Sequence, residues 1–450
     1  MSLNARRAGL LLHPTSLPSG TLADVERWLD FLQTAGFGVW QMLPLGLPLV
    51  GLSPYQCASA FAVNPVLFPG ARADMRRFAG WRNRQQHWLD DYARFIVIKQ
   101  EQGGSSWTDW PQPLRDRDAQ ALAEFDAHHV DALKAVMAEQ YRAAMAWQDI
   151  RAAAAARHVQ LFGDMPIFVA HDSADVWARR DLFLLDDGGH PTVVAGVPPD
   201  YFSETGQRWG NPHYNWAAMQ ADNFAWWRAR LRAHFEWFDL VRIDHFRGLA
   251  AAWTIPASEP TAIHGEWVAT PGAALLQAIA DEMGKLPLVA EDLGVITPDV
   301  TALRHQFGLP GMAVLQFAFD HHADNPHKPE NVQPDTVYYT GTHDNDTTLG
   351  WWHTLPEPTR AQVMQQLGAS EADAVLDRMI ATVLESRAAL AVLTMQDVLC
   401  LGSEARMNTP GTDNGNWTWR FEWDALPSDL ASRLHQQLQK AHRCEIPSPP

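Results

Sequence analysis

Asp239-Leu-Val-Arg-Ile-Asp-His-Phe-Arg-Gly248 begins as an apolar strand and ends in charge. Side chains alternate along a strand. Val241 and Ile243 therefore share one face, and Arg242 and Asp244 share the other. With the apolar face against outer helices, Arg242 and Asp244 point inward at the strand's C-terminal end. Seven other short, nearly continuous apolar runs complete a set of eight: 9–12, 38–43, 159–164, 238–244, 286–291, 312–317, 336–342 and 394–401. Runs of this kind suit strands buried on both faces. Helical patterns lie between many of them, at 22–35 and 273–283 among others. This alternation predicts an α/β fold, a (β/α)8 TIM barrel, which needs about 250 residues. The remainder of the 450 residues predicts inserted, mainly helical subdomains on the barrel loops, at roughly 44–158, 168–237 and 345–393. No low-complexity linker divides the chain, so 1–450 reads as a single catalytic domain.

The net charge of −17 opposes nucleic-acid or anionic-membrane partners, whose phosphates need clustered Lys and Arg, and it suits a neutral substrate. Cys57, Cys400 and Cys444 are too few and too scattered for a disulfide framework, which fits a reducing compartment. The apolar run near the N-terminus is shorter than a signal peptide requires, and no stretch approaches a spanning helix, so a cytoplasmic location is expected. Twenty Trp against seven Tyr is a lopsided aromatic usage. Most of these indoles serve to pack the core, but an indole also offers a flat face to the C–H face of a sugar.

Two further runs end in acid. Leu288-Val-Ala-Glu-Asp-Leu-Gly294 places Glu291 or Asp292 inward, since two adjacent residues cannot share a strand face. Val337-Tyr-Tyr-Thr-Gly-Thr-His-Asp-Asn-Asp346 places His343 and Asp344 at its loop end. Barrel enzymes carry their chemistry at the C-terminal ends of strands. Asp244, Glu291 and Asp344 are thus expected on one rim. Arg242, two residues before Asp244, is expected to lower its pKa and keep it ionised. Crowding of like charges should raise Glu291 and make it a proton donor. Two carboxyl groups with separate roles are what glycosidic bond cleavage requires. No His-Glu-x-x-His, Cys-x-x-Cys, dinucleotide fingerprint or P-loop is present, so no metal and no cofactor are expected.

Arg242-Ile-Asp-His, Ala290-Glu-Asp-Leu-Gly294 and Thr342-His-Asp-Asn345, in this order, resemble the three catalytic blocks of the α-amylase superfamily. More specifically, the chain resembles the amylomaltases, the 4-α-glucanotransferases of glycoside hydrolase family 77. Leu12-His-Pro-Thr-Ser-Leu-Pro18, Ser53-Pro-Tyr-Gln56, Gly163-Asp-Met-Pro-Ile-Phe-Val169, the stretch 197–212, Gly402-Ser-Glu-Ala-Arg-Met-Asn408 and Asn416-Trp-Thr-Trp-Arg420 are also similar to that family's blocks. The resemblance implies Asp244 as nucleophile, Glu291 as general acid/base and Asp344 as stabiliser of the distorted sugar. It implies that Tyr55, Asp164, Arg242 and His343 line the subsite of the transferred sugar. Ser53, Trp209 and Asn211 would touch the neighbouring sugar, and Asn408 would also contact substrate. Asp200, Tyr201 and Phe202 would sit on a loop over the cleft. The implied partners are a maltooligosaccharide or glucan donor and a glucose or maltodextrin acceptor, joined through a retaining double displacement. The alternative is an α-glucan hydrolase using the same residues. Relatives often carry Gly-Tyr-Gly-Asp before Ser-Pro-Tyr, where this chain has Leu49-Val50-Gly51-Leu52, and the stretch 65–88 is short. A secondary glucan site and large-ring formation are therefore not carried over.

Overall fold

The computed structural model describes residues 6–200, 203–412 and 414–444. Eight strands form one sheet: Arg7–Leu11 (β1), Val39–Gln41 (β2), Gln160–Met165 (β3), Leu240–Ile243 (β4), Leu288–Ala290 (β5), Gly311–Val314 (β6), Thr336–Tyr339 (β7) and Leu390–Thr394 (β8). Their spatial order is β6-β7-β8-β1-β2-β3-β4-β5, and every ladder is parallel. The two ends of the sheet meet. The Ala290 N–H donates to the Pro310 carbonyl at 2.8 Å, and the Met312 N–H donates to the Asp292 carboxylate at 2.7 Å. A side chain thus finishes the seam that rolls the sheet into a barrel. It also settles which acid turns away: Asp292 serves the seam, leaving Glu291 to the interior.

The alternation expected of β4 holds around the barrel. Leu11, Val39, Phe162, Val289, Val337 and Val392 fill the interior. Leu10, Trp40, Leu161, Val241, Ile243 and Leu393 face outward onto helices such as Val25–Ala35 and Gly272–Met283. Gly163 is required on β3, because a Cβ there would lie 2.2 Å from the Phe238 ring.

Two of the eight apolar runs change structure part-way. In 312–317 the strand ends at Val314 and a tight turn, Leu315–Phe317, follows. The run 394–401 is not the eighth strand. The strand is Leu390–Thr394, and Met395–Val398 is a helical turn in which the Asp397 N–H donates to Thr394 Oγ1 at 3.2 Å. Both halves are buried, so hydropathy alone does not mark the change.

Between β2 and β3 the long helices Phe78–Glu101 and Val130–Ala156 pack on each other. A second, antiparallel sheet of four strands runs in the order Gln207–Pro212, Val193–Val197, Ala251–Pro256, Glu266–Ala269. It is built from the loops that follow β3 and β4, and local sequence does not foretell it. Among the described residues no helix is long and apolar enough to cross a membrane.

Arg443 lies beyond the last helix, Leu430–Lys440, and is buried under the barrel floor. It donates to the carbonyls of Leu384, Arg7, Ser386 and Ala388 at 2.5–3.0 Å. Arg443→Met removes every one of these bonds, leaving the Leu384 and Ser386 carbonyls with Arg6 as a side-chain donor, and should cost about 3 kcal/mol. A lower urea midpoint, with unchanged turnover per folded molecule, is the expected result.

Candidate active site

A polar layer caps the apolar barrel interior at the C-terminal end. Register sets Asp164 of β3 beside Arg242 of β4. Asp164 is fully buried and Arg242 nearly so. One guanidinium nitrogen of Arg242 binds Asp164, and the other donates to Asp244 Oδ1 at 2.8 Å. A bidentate planar donor of this kind fixes two carboxylates at once. The Tyr55 hydroxyl donates to Asp164 Oδ2 at 2.8 Å. Its single proton is then spent, so it accepts from Arg242 at 3.3 Å and from His343 Nε2 at 2.8 Å. The Tyr55 and His343 rings stack at 5.5 Å and 15°. Below them the Tyr339 hydroxyl donates to Gln41 Oε1 at 2.9 Å.

Above this layer stand three carboxyl groups. Asp244 follows β4 directly, its N–H bonded to the Met165 carbonyl at 3.0 Å. Glu291 follows β5. Its Oε2 accepts the His245 N–H at 2.7 Å, and its Oε1 accepts the Leu293 N–H at 3.2 Å. His245 holds φ 51°, a left-handed conformation that costs a non-glycine residue about 1–2 kcal/mol. Asp344 lies in the loop after β7. Asn408 Nδ2 donates to its Oδ1 at 2.6 Å, His343 Nε2 is 3.3 Å from its Oδ2, and Arg406 donates to its carbonyl at 2.7 Å. The side chains of Asp244 and Asp344 are 28% and 42% exposed, whereas that of Arg242 is 5% exposed. The acids therefore form the floor of an open cleft, and the groups that orient them lie beneath.

The three acids titrate apart. Burial pushes Asp244 up to about 6, against the pull of Arg242 and with the charges of Asp164 and Asp344 adding to the rise. The expected lowering by Arg242 is thus real but outweighed, because the same fold that delivers the guanidinium also strips water from the carboxylate. Burial pushes Glu291 further, to about 8, opposed by Arg242 and reinforced by Asp244. Burial also pushes Asp344 up. Yet the charge of His343, with hydrogen bonds from His343 and Asn408, leaves it well below the usual carboxylate range. Near pH 7 Glu291 holds its proton while Asp244 and Asp344 are ionised.

Comparison with known proteins places the chain in a family. The family model described as 4-alpha-glucanotransferase, glycoside hydrolase family 77, matches residues 11–72 and 68–426. The chain belongs to that family. It is 45% identical to the 4-alpha-glucanotransferase of Thermus thermophilus over 495 aligned positions, covering 97% of this chain and 99% of the relative. It is 42% identical to the 4-alpha-glucanotransferase of Synechocystis sp., covering 96% and 97%. Its fold matches the amylomaltase from Streptococcus agalactiae in complex with acarbose with a TM-score of 0.93. That pair shares 30% identity over 98% of this chain and 100% of the other.

Within this family 77 chain, Tyr55, Asp164, Arg242, Asp244, His343, Asp344 and Asn408 form one connected set of the residues expected at the site, and Glu291 is coupled to it through the charges of Arg242 and Asp244. The other expected residues sit differently. Ser53 Oγ accepts the Tyr55 N–H at 3.3 Å and shapes the turn that presents the phenol. Trp209 meets the His245 ring edge-on at 4.9 Å. Asn211 does not join the set: it is buried, donating to the Val169 carbonyl at 2.8 Å and accepting from Gln56 Nε2 at 3.0 Å. Asp200 is exposed in a turn in which its Oδ1 accepts the Ser203 N–H at 2.9 Å. Tyr201 and Phe202 lie outside the described residues. Arg406 and Trp417 were not among the expected site residues, although both sit in family blocks. Arg406 joins Asp344 to the Asn408 carbonyl at 2.6 Å. Trp417 sits 6.1 Å from the Tyr55 ring and 6.0 Å from that of His343. The family resemblance marks the Asn416–Arg420 stretch, but only the three-dimensional neighbours give Trp417 a place.

Proposed function

We propose that this chain is a retaining 4-α-glucanotransferase that moves α-1,4-glucan segments from a maltooligosaccharide or glucan donor to glucose or a maltodextrin. The observation that carries this reading is geometric: Asp244, held by Arg242 at 2.8 Å, and Glu291 follow neighbouring parallel strands on one rim, and burial pushes Glu291 higher than Asp244. Asp244 attacks the anomeric carbon from one face. As the C–O bond to the leaving chain breaks, Glu291 gives its proton to the departing oxygen. A β-glycosyl ester on Asp244 results, and the shortened chain leaves. The 4-hydroxyl of an acceptor then loses its proton to Glu291 and attacks the same carbon, which restores Asp244 and makes a new α-1,4 bond. Asp344, ionised through both steps, stabilises positive charge on the ring. Tyr55, Asp164 and His343 hold the transferred sugar, with Asn408 beside Asp344. Ser53, Trp209 and Asn211 shape the neighbouring position, and the Asp200 loop covers the cleft. Water exclusion lets the acceptor win over hydrolysis. The enzyme works in the cytoplasm, on neutral glucans, as one catalytic domain with the three inserted regions forming the walls of the cleft.

Incubation with maltotriose tests this. Chain lengths should redistribute to glucose and longer maltodextrins while the number of reducing ends stays constant. A steady rise in reducing ends would instead assign hydrolysis. Tyr55→Phe, which removes the hydroxyl shared by Asp164, Arg242 and His343, should lower kcat about 10- to 100-fold with little change in fold.

A further inference from the structure

Ten large apolar side chains stand exposed among the described residues, and one of them, Trp267, is tied through Arg247 to the loop that follows Glu291. Trp267 lies on the edge strand Glu266–Ala269, directly opposite Trp253 in register. The two indoles meet edge to face at 5.3 Å and 64°. The Arg247 guanidinium covers one face of Trp267, 3.9 Å from the ring centroid. Arg247 is itself pinned, donating to the Val295 carbonyl at 3.0 Å and to Thr297 Oγ1 at 2.8 Å. The indole is therefore braced on one face and along its edge, yet 38% of Trp267 remains accessible. Side-chain ordering is complete before any ligand arrives, which is the property that makes a flat ring an efficient stacking surface.

The position of this surface relates it to the chemistry. Arg247 stands three residues beyond Asp244, and Val295 four beyond Glu291. The same two barrel loops that carry the reacting carboxyls also carry the indole's support. We propose that Trp267, backed by Arg247, is an outer subsite for long α-1,4-glucan chains. It stacks on a glucosyl unit beyond those held at the catalytic centre, on the leaving-group side where Glu291 acts. This rests on the glucan-transfer reading above. A second copy of the chain is a poorer occupant, because each carries a net charge of −17 and the edge strand exposes Glu266.

Wild type, Trp267→Ala and Trp267→Phe are compared on two donors, maltotriose and amylose, with glucose in excess as acceptor. Trp267→Ala should raise KM for amylose about 3- to 10-fold, the size expected for one lost stacking contact. Its kinetics on maltotriose, which is too short to reach the subsite, should be those of wild type. Trp267→Phe keeps a ring and the packing and should show a smaller rise with the same selectivity, which covers the case of an unfolded Ala variant. In a native gel containing amylose, the retardation of wild type should weaken in both variants. An unchanged KM for amylose overturns the proposal, and so does an equal loss on both donors, which would make Trp267 a brace for the fold. Concentration-dependent dimerisation abolished by Trp267→Ala would assign the surface to a second copy. A wild type inactive on maltotriose sinks the transfer reading instead.

Discussion

Asp244→Asn should lose glucan transfer by about 10⁴-fold or more in kcat/KM, the scale of removing a covalent nucleophile whose partners remain in place. The amide keeps the shape of the carboxylate and can still present an oxygen to Arg242, whose nitrogen is 2.8 Å from Oδ1. What it loses is the charge and the lone pair that bonds the anomeric carbon. The fold should not suffer. The native pKa of Asp244, about 6, lies above its ordinary value of 3.8. The wild type therefore loses stability as pH rises through that interval, because the fold opposes ionisation. The variant has no such term. Its melting temperature should equal or exceed that of wild type above pH 6, and the difference should shrink toward pH 4. Near-normal turnover, or a melting temperature well below wild type at pH 7, would remove Asp244 from the nucleophile's role or show that its charge is structural.

The parts of this architecture that were legible in sequence are those set by local periodicity. Val241 and Ile243 against Arg242 and Asp244 is a two-residue alternation, and it survives folding because a buried parallel strand leaves one face for helices and the other for the interior. The placement of Glu291 was only half legible. Glu291 and Asp292 are adjacent, and the choice between them depends on Met312 and Arg304, distant in sequence, which claim Asp292. The eighth strand lies a few residues before the apolar run 394–401, because Leu390 to Val398 stays buried while changing from strand to helical turn. Asn211 and Trp417 show the same limit at the site. Each lies in a family block, yet whether a polar or aromatic side chain meets solvent or packing is decided by contacts more than a hundred residues away. The Asp244 shift runs upward, against the reading from its neighbouring Arg, for a related reason. A neighbouring Arg can be read from spacing, but the desolvation that outweighs it sums over β3, β4 and the loops above them.

Glu291→Gln should reduce transfer between maltodextrins about 10²- to 10⁴-fold, the range of general acid–base catalysis. The pH profile identifies the role. In wild type the rate should rise as Asp244 ionises near 6 and fall as Glu291 loses its proton near 8. The variant's residual rate should keep the acid limb and lose the alkaline one. A donor whose leaving group needs no proton separates the two half-reactions. With an α-maltosyl fluoride, fluoride departs unaided, so formation of the ester on Asp244 should stay near the wild-type rate. Its discharge to an acceptor should be slow, because no base takes the proton of the 4-hydroxyl. The glycosyl-enzyme should then accumulate and be visible as a mass increase. Stability gives an independent reading with a definite sign. Glu291 has a native pKa of about 8 against an ordinary 4.5, so its contribution falls as pH rises between these values. Gln escapes that loss but turns an N–H toward the amide of His245 or Leu293, each of which now donates to a carboxyl oxygen. The net gain should be on the order of 2–3 kcal/mol at pH 9, pass through zero near pH 6 and reverse below it. An alkaline limb that persists in the variant, or a variant less stable than wild type at pH 9, would mean that Glu291 is not the proton carrier of this cleft.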